Sequence, residues 1–156
     1  RGATPVIYDS KQSFEIGGSH VVRSSKSDHL AIVAAGVTLH EAITAADTLA
    51  AEGINARVID LYSIKPIDVE TLRSAASATG NIITVEDHWM DGGIGDAVLQ
   101  AFAECDVRPR VVRLAVTDMP MSGSPTELLH AAGIDAEHIA DAARSLAHIP
   151  NEAPFA

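Results

Sequence analysis

A three-layer α/β/α domain is the fold this sequence predicts, built on a five-stranded mixed, mostly parallel sheet with one antiparallel edge strand. Three observations predict it. Short apolar runs rich in branched residues recur at 30–35, 56–61, 82–85 and 110–116, as expected of strands covered on both faces. The segments between them place apolar residues three and four apart, which is helical spacing. Glycine, proline and capping residues separate the two kinds of segment, and strands alternating with helices build a parallel sheet between helical layers.

In chain order, residues 1–15 read as a linker or the end of a preceding domain, with Val6, Ile7 and Tyr8 offering a short strand at most. The domain itself is expected over 16–149. Residues 16–23 read as the edge strand. The polar turn Ser24-Ser25-Lys26-Ser27-Asp28 leads straight into the run at 30–35, and so short a connection favours antiparallel pairing. After Gly36, Thr38 and Glu41 have capping-box spacing, and the following helix carries Leu39, Ala42, Ile43, Ala46 and Leu49 on one face. Gly53 ends it, and the strand at 56–61 completes a βαβ unit. Asp68 is the expected cap of a helix over 69–78, which Gly80 stops. Later, Ser124-Pro125-Thr126-Glu127 combines a Ser cap, a first-turn proline and a Glu three residues on. Gly133 closes that helix. Asp135 caps a last one with Ile139, Ala142, Ala143 and Leu146 on its face, and residues 150–156 are expected as a loose tail.

The stretch NIITVEDHWMDGGIGDAVLQAF, residues 81–102, concentrates the chemistry. Glu86, Asp87, His88, Trp89, Asp91, Gly92, Gly93, Gly95 and Asp96 all gather between a strand and a helix, at the sheet edge where α/β proteins bind ligands. A glycine turn at a helix N-terminus suits an anion. Yet Val98 stands where a dinucleotide fingerprint needs Gly or Ala, and no phosphate-loop Gly-Lys-Ser/Thr follows. Between Arg73 and Arg108 there is no Lys or Arg, while four carboxylates crowd the turn. Of the adjacent Glu86, Asp87 and His88, only Glu86 and His88 share a strand face, so an acid–base pair has to come from those two. The reading favoured for Glu86, Asp87, His88, Trp89, Gly92, Gly93 and Gly95 is a corner facing a neighbouring domain or subunit.

Elsewhere the residues exclude more than they suggest. The formal charge is −10, without the basic footprint that nucleic acid or an anionic membrane requires. No apolar run is long enough to span a bilayer. The single cysteine, Cys105, lies between Glu104 and Asp106, which disfavours a reactive thiolate, and it rules out an internal disulfide framework. A cytoplasmic setting is expected. The seven histidines show no ligand spacing: His40-Glu41 lacks the second His of a metalloprotease helix, and His130 and His138 are separated by Gly133. No Ser-centred nucleophile elbow occurs. No catalytic, cofactor-binding or metal-ligating residue is therefore assigned.

ARVIDLYSIKPID followed by the 81–102 stretch, together with MSGSPTELLHAAGI, resembles the C-terminal domain of transketolases across nearly the whole chain. Related blocks end deoxyxylulose-phosphate synthases and the β-subunits of 2-oxoacid dehydrogenases. The resemblance implies a parent that uses thiamine diphosphate and a divalent metal (Mg or Ca) to transfer a two-carbon ketol group between ketose and aldose sugar phosphates. It also implies a homodimer, with preceding diphosphate- and pyrimidine-binding domains as partners. The domain resembled is structural, dimer-supporting or regulatory, and no cofactor is expected to bind this chain. The Gly-Asp-Gly to Asn-Asn metal-diphosphate signature is missing from it. The start Arg1-Gly2-Ala3-Thr4-Pro5 resembles the end of the pyrimidine-binding domain, so the chain is expected to be cut near that boundary. A stand-alone interaction module, a subunit of a split thiamine-diphosphate enzyme, the last domain of a related deoxyxylulose-phosphate synthase or 2-oxoacid dehydrogenase β-subunit, and a small-molecule sensor using the Gly92–Gly95 turn are the alternatives.

Overall fold

Strands and helices alternate as the hydrophobic pattern requires. The computed structural model describes residues 4–103, 105, 106 and 108–147. The expected tail at 150–156, the first three residues and Glu104 lie outside the described residues. Along the chain come β1 (His20–Arg23), β2 (Leu30–Ala34), α1 (Val37–Ala51), β3 (Ala56–Asp60) and α2 (Val69–Thr79). They are followed by β4 (Asn81–Trp89), α3 (Ile94–Ala101), β5 (Arg110–Val116), α4 (Pro125–Ala131) and α5 (Ala136–Ala147). The sheet order is β1-β3-β2-β4-β5. The last four strands of that order are parallel, and β1 alone runs antiparallel.

Period-two alternation in β2 divides the interior. Leu30, Ile32 and Ala34 face α1 and α5, joined by Val58, Ile83 and Val85. Ala31 and Val33 face α2 and α3, joined by Ile59, Leu61, Leu72, Ile82 and Val98. Both faces of the central strands are thus covered by helices, which is why these segments lack a polar face.

The structure corrects several local expectations. The edge strand spans only His20–Arg23; residues 16–19 turn around Gly17, whose φ is +87°. Its partner is β3, with His20 opposite Asp60, and not the next strand in sequence. Thr38 is no cap: Gly36 occupies that position, and the fully buried Thr38 hydroxyl donates to the carbonyls of Ala35 and Val85. Val6, Ile7 and Tyr8 form no strand. Tyr8 and Phe14 instead join His20 and Tyr62 in a ring cluster with centroids 4.9–5.3 Å apart. The Tyr8 hydroxyl donates to Asp60 at 2.7 Å. Within the stretch read as a linker or the end of a preceding domain, Tyr8 and Phe14 thus reach the end of β3, while most of residues 4–15 stay exposed.

The remaining caps form as their sequences indicate. Asp68 accepts from the Thr71 N–H at 3.0 Å, and Gly80 ends α2 in the left-handed conformation. Ser124 and Glu127 form a complete capping box on α4. At the start of α5, the Asp135 carboxylate accepts from the His138 N–H, and Glu41 of α1 accepts from the Ala136 N–H at 2.9 Å. Arg144 pairs with both carboxylate oxygens of Glu52, tying α5 to the end of α1.

Candidate functional site

β4 extends through Trp89, so the polar residues after Val85 still follow strand geometry. Ile82, Thr84 and Glu86 share the face that meets α3. Glu86 is therefore not at the loop edge; only 2% of it is exposed. Its Oε2 accepts from the Ile94 N–H at 2.5 Å and its Oε1 from the Gly95 N–H at 2.9 Å. Those are two of the first-turn N–H groups that a helix leaves without internal partners, and a carboxylate there also complements the helix dipole. Glu86 and His88 form no acid–base pair. His88 is exposed and donates from Nδ1 to its neighbour's carbonyl on Trp89.

The glycines now have separate reasons. Gly92 has a φ of +79°, and its N–H donates to Asp96 at 2.5 Å. A Cβ on Gly93 would lie 1.7 Å from Glu86 Oε2, and one on Gly95 would lie 2.3 Å from Arg113 Nε. Gly93 and Gly95 are small because a carboxylate and a guanidinium pass directly over them.

That guanidinium corrects the expectation of a turn without cations. Arg113 stands opposite Thr84 in the β4–β5 register and reaches the turn from β5. It pairs with Asp96 at 3.0 Å and donates to the Met90 carbonyl. The signal for it was an arginine inside an apolar strand, Val111-Val112-Arg113-Leu114, which needs a polar partner. Asp87, His88 and Trp89 lie exposed at the end of β4, where Trp89 pairs with Val116, and Met119 and Met121 in the segment that follows β5 are more exposed still. This edge presents apolar surface around a closed corner, inside which Arg113 Nε and the Thr84 hydroxyl are buried without a hydrogen-bond partner.

A second correction concerns the histidines. His130, in the last turn of α4, and His138, in the first turn of α5, meet at Asp135. Their Nδ1 atoms lie 2.7 and 2.6 Å from its two carboxylate oxygens. Burial pulls the Asp135 carboxyl upward, but the His138 N–H and the two imidazole hydrogen bonds outweigh it and hold the group at about 2. Gly133 separates the two histidines in sequence, but Asp135, three residues before His138, bridges them across the turn.

A third group is Asp60, buried at the end of β3. Burial raises its pKa, opposed by the Tyr8 hydrogen bond and by His20 and His40 nearby. Burial, followed by the Asp60 hydrogen bond, raises the Tyr8 pKa in turn. Among the described residues, no helix is long and apolar enough to cross a membrane.

The family described as "Transketolase, C-terminal domain" matches residues 19–139. Transketolase-like protein 1 of Bos taurus is 49% identical over 142 residues, covering 89% of this chain and 23% of the relative. Transketolase of Homo sapiens is 46% identical over 147 residues, covering 94% and 23%. The chain thus spans under a quarter of the length of these curated relatives. Among solved structures, one described as "Split gene transketolase, inactive beta4 tetramer" superposes with a TM-score of 0.84 at 35% identity, over 94% of this chain and 47% of that one. A transketolase of Pichia stipitis shares the fold with a TM-score of 0.64 at 18% identity, over 84% of this chain and 18% of the other.

Proposed function

This chain belongs to the transketolase C-terminal domain family, and from that membership we propose that it is the non-catalytic last domain of a ketol-transferring enzyme. The parent would move a two-carbon ketol group between ketose and aldose sugar phosphates. This domain would support its homodimer and its preceding diphosphate- and pyrimidine-binding domains, in a cytoplasmic setting. Thiamine diphosphate and its divalent metal would be held by those other domains.

One observation carries the non-catalytic reading. The α3 N-terminus, where a diphosphate would be expected to sit, is engaged by Glu86 through Ile94 and Gly95. Its residues do not fit the cofactor, and the same carboxylate fills the space over Gly93. The exposed Trp89, Met119 and Met121 beside it support docking to a neighbouring domain or subunit.

Calorimetric titration with thiamine diphosphate and Mg²⁺ tests this directly. No binding and no ketol transfer by the chain alone are expected; measurable affinity or turnover would overturn the reading. A second reading, a subunit completing a split enzyme in trans, is favoured by the similarity to the split-gene transketolase. Mixing the chain with one carrying the other two domains separates the two. Restored activity supports assembly in trans, and its absence supports a covalently linked domain.

A further inference from the structure

The α4–α5 corner carries a ligand set that the ketol-transfer reading does not use. Chain direction reverses through Gly133, whose φ of +68° suits the turn between two helices. The reversal brings the last turn of α4 over the first turn of α5. His130, Asp135 and His138 consequently offer ligand atoms that all lie within 4.8 Å of one another. The two imidazole rings stand 4.9 Å apart and tilted by 61°, so they converge on the carboxylate without stacking flat.

We propose that His130, Asp135 and His138 form a binding site for one divalent transition-metal ion of the Zn²⁺ class, with water completing its coordination. Three features support it. First, two imidazole nitrogens and one carboxylate oxygen are the donor set of a borderline ion; Mg²⁺ and Ca²⁺ need more oxygen ligands than the corner offers. Second, the spacing is close to what such an ion needs. Bonds of about 2.0–2.2 Å place tetrahedral ligand atoms about 3.3 Å apart, and the Nδ1-to-oxygen separations are 2.6 and 2.7 Å. Small rotations of the two exposed rings supply the difference. Third, the carboxylate is already oriented, because the His138 N–H holds Oδ1 at 3.0 Å. Supporting hydrogen bonds of this kind fix metal ligands in place.

The exchange is balanced without an outside reactant. Each imidazole gives up the Nδ1 proton it shares with Asp135, to its own Nε2 or to solvent, and turns the freed Nδ1 lone pair to the ion. The carboxylate then ligates the ion in place of the two N–H donors. The side chains of His130 and His138 are 59% and 39% exposed, against 14% for Asp135, so the ion enters from the solvent side and water closes its shell there. The bound ion joins α4 to α5 across the turn.

The test is calorimetric titration of the metal-free chain with Zn²⁺, repeated with Co²⁺ and read by its visible absorption. Uptake of one equivalent is expected, with a higher Tm. His130→Gln and His138→Gln should each weaken binding by about tenfold or more. Asp135→Asn keeps an acceptor for the His138 N–H and should also weaken binding, with near-UV dichroism reporting that the fold persists. His29→Gln, remote from the corner, should bind as the wild type does. Failure of the wild type to take up Zn²⁺ at micromolar concentration would overturn the proposal. So would an affinity unchanged in both His130→Gln and His138→Gln.

Discussion

Glu86 and Gly93 act as one unit at the scale of single residues. A methyl group on Gly93 would meet the Glu86 carboxylate at 1.7 Å, and Glu86 is buried and cannot swing into solvent. Gly93→Ala is expected to cost about 1–3 kcal/mol in urea denaturation. In a Glu86→Ala background the same substitution should cost much less, because the clashing group is gone; a double-mutant cycle with no coupling would contradict this. Asp60 makes a separate prediction. Its native pKa is raised above the ordinary 3.8 by burial, so the native state binds more protons than the unfolded chain just above that value. Stability from this group is therefore fullest in acid and falls as pH rises through the raised pKa. Asp60→Asn keeps an acceptor for Tyr8 and should flatten that decline in thermal melts across the carboxylate range. That Arg113 needs a partner could be read from its apolar strand, but which groups it and the His130–His138 pair meet was not legible beforehand, for related reasons. Arg113 arrives through strand pairing, opposite Thr84 29 positions away, and local sequence carries no trace of that register. The histidines meet only because a glycine turn folds two helices together.

Among the elements, α4 stands apart. It is seven residues long and has no fully buried side chain, with Leu129 only partly buried against the core. So short a helix draws little from its own hydrogen bonds. Its persistence rests on the capping box of Ser124 and Glu127. Ser124→Ala should therefore loosen α4 locally by about 1 kcal/mol, seen as amide exchange at Leu128 and Ala132 faster by about fivefold, with slower exchange in β2 and β4 unaffected. Most elements could be read directly: the caps at Asp68 and Ser124 and the stop at Gly80 follow from local chemistry alone. The misread ones were those where tertiary contact decided. Thr38 has the spacing of a cap, but its hydroxyl serves the buried carbonyl of Val85, far along the chain. β1 was assigned the wrong partner because a short turn permits antiparallel pairing without requiring it, and β3 offered the edge.

For the whole molecule, the three-layer architecture was legible because every central strand is apolar on both faces, a pattern that only a sheet between two helical layers satisfies. What the surface is for was less legible, since an exposed methionine looks the same in sequence as a buried one. Met119 and Met121 are 78% and 81% exposed on the edge that also presents Trp89. Replacing both methionines with Glu should leave the stability of this chain within about 0.5 kcal/mol of wild type. It should abolish association with a chain carrying the preceding domains, as measured by size exclusion with light scattering. Unchanged association would place the contact on another face.

The carboxylate over α3 can also be viewed as a competitor. A dissolved anion approaching Ile94 and Gly95 must displace a ligand tethered to the same fold, at an effective concentration of about millimolar or higher. The corner is in this sense self-inhibited, and one substitution lifts the inhibition. Glu86→Ala exposes the two N–H groups beside Arg113 and should create sulfate binding. The readout is a sulfate-dependent rise in Tm beyond the general salting effect seen in wild type. A molecule whose nearest approach to an anion site is held shut by its own side chain is one deletion away from gaining a ligand.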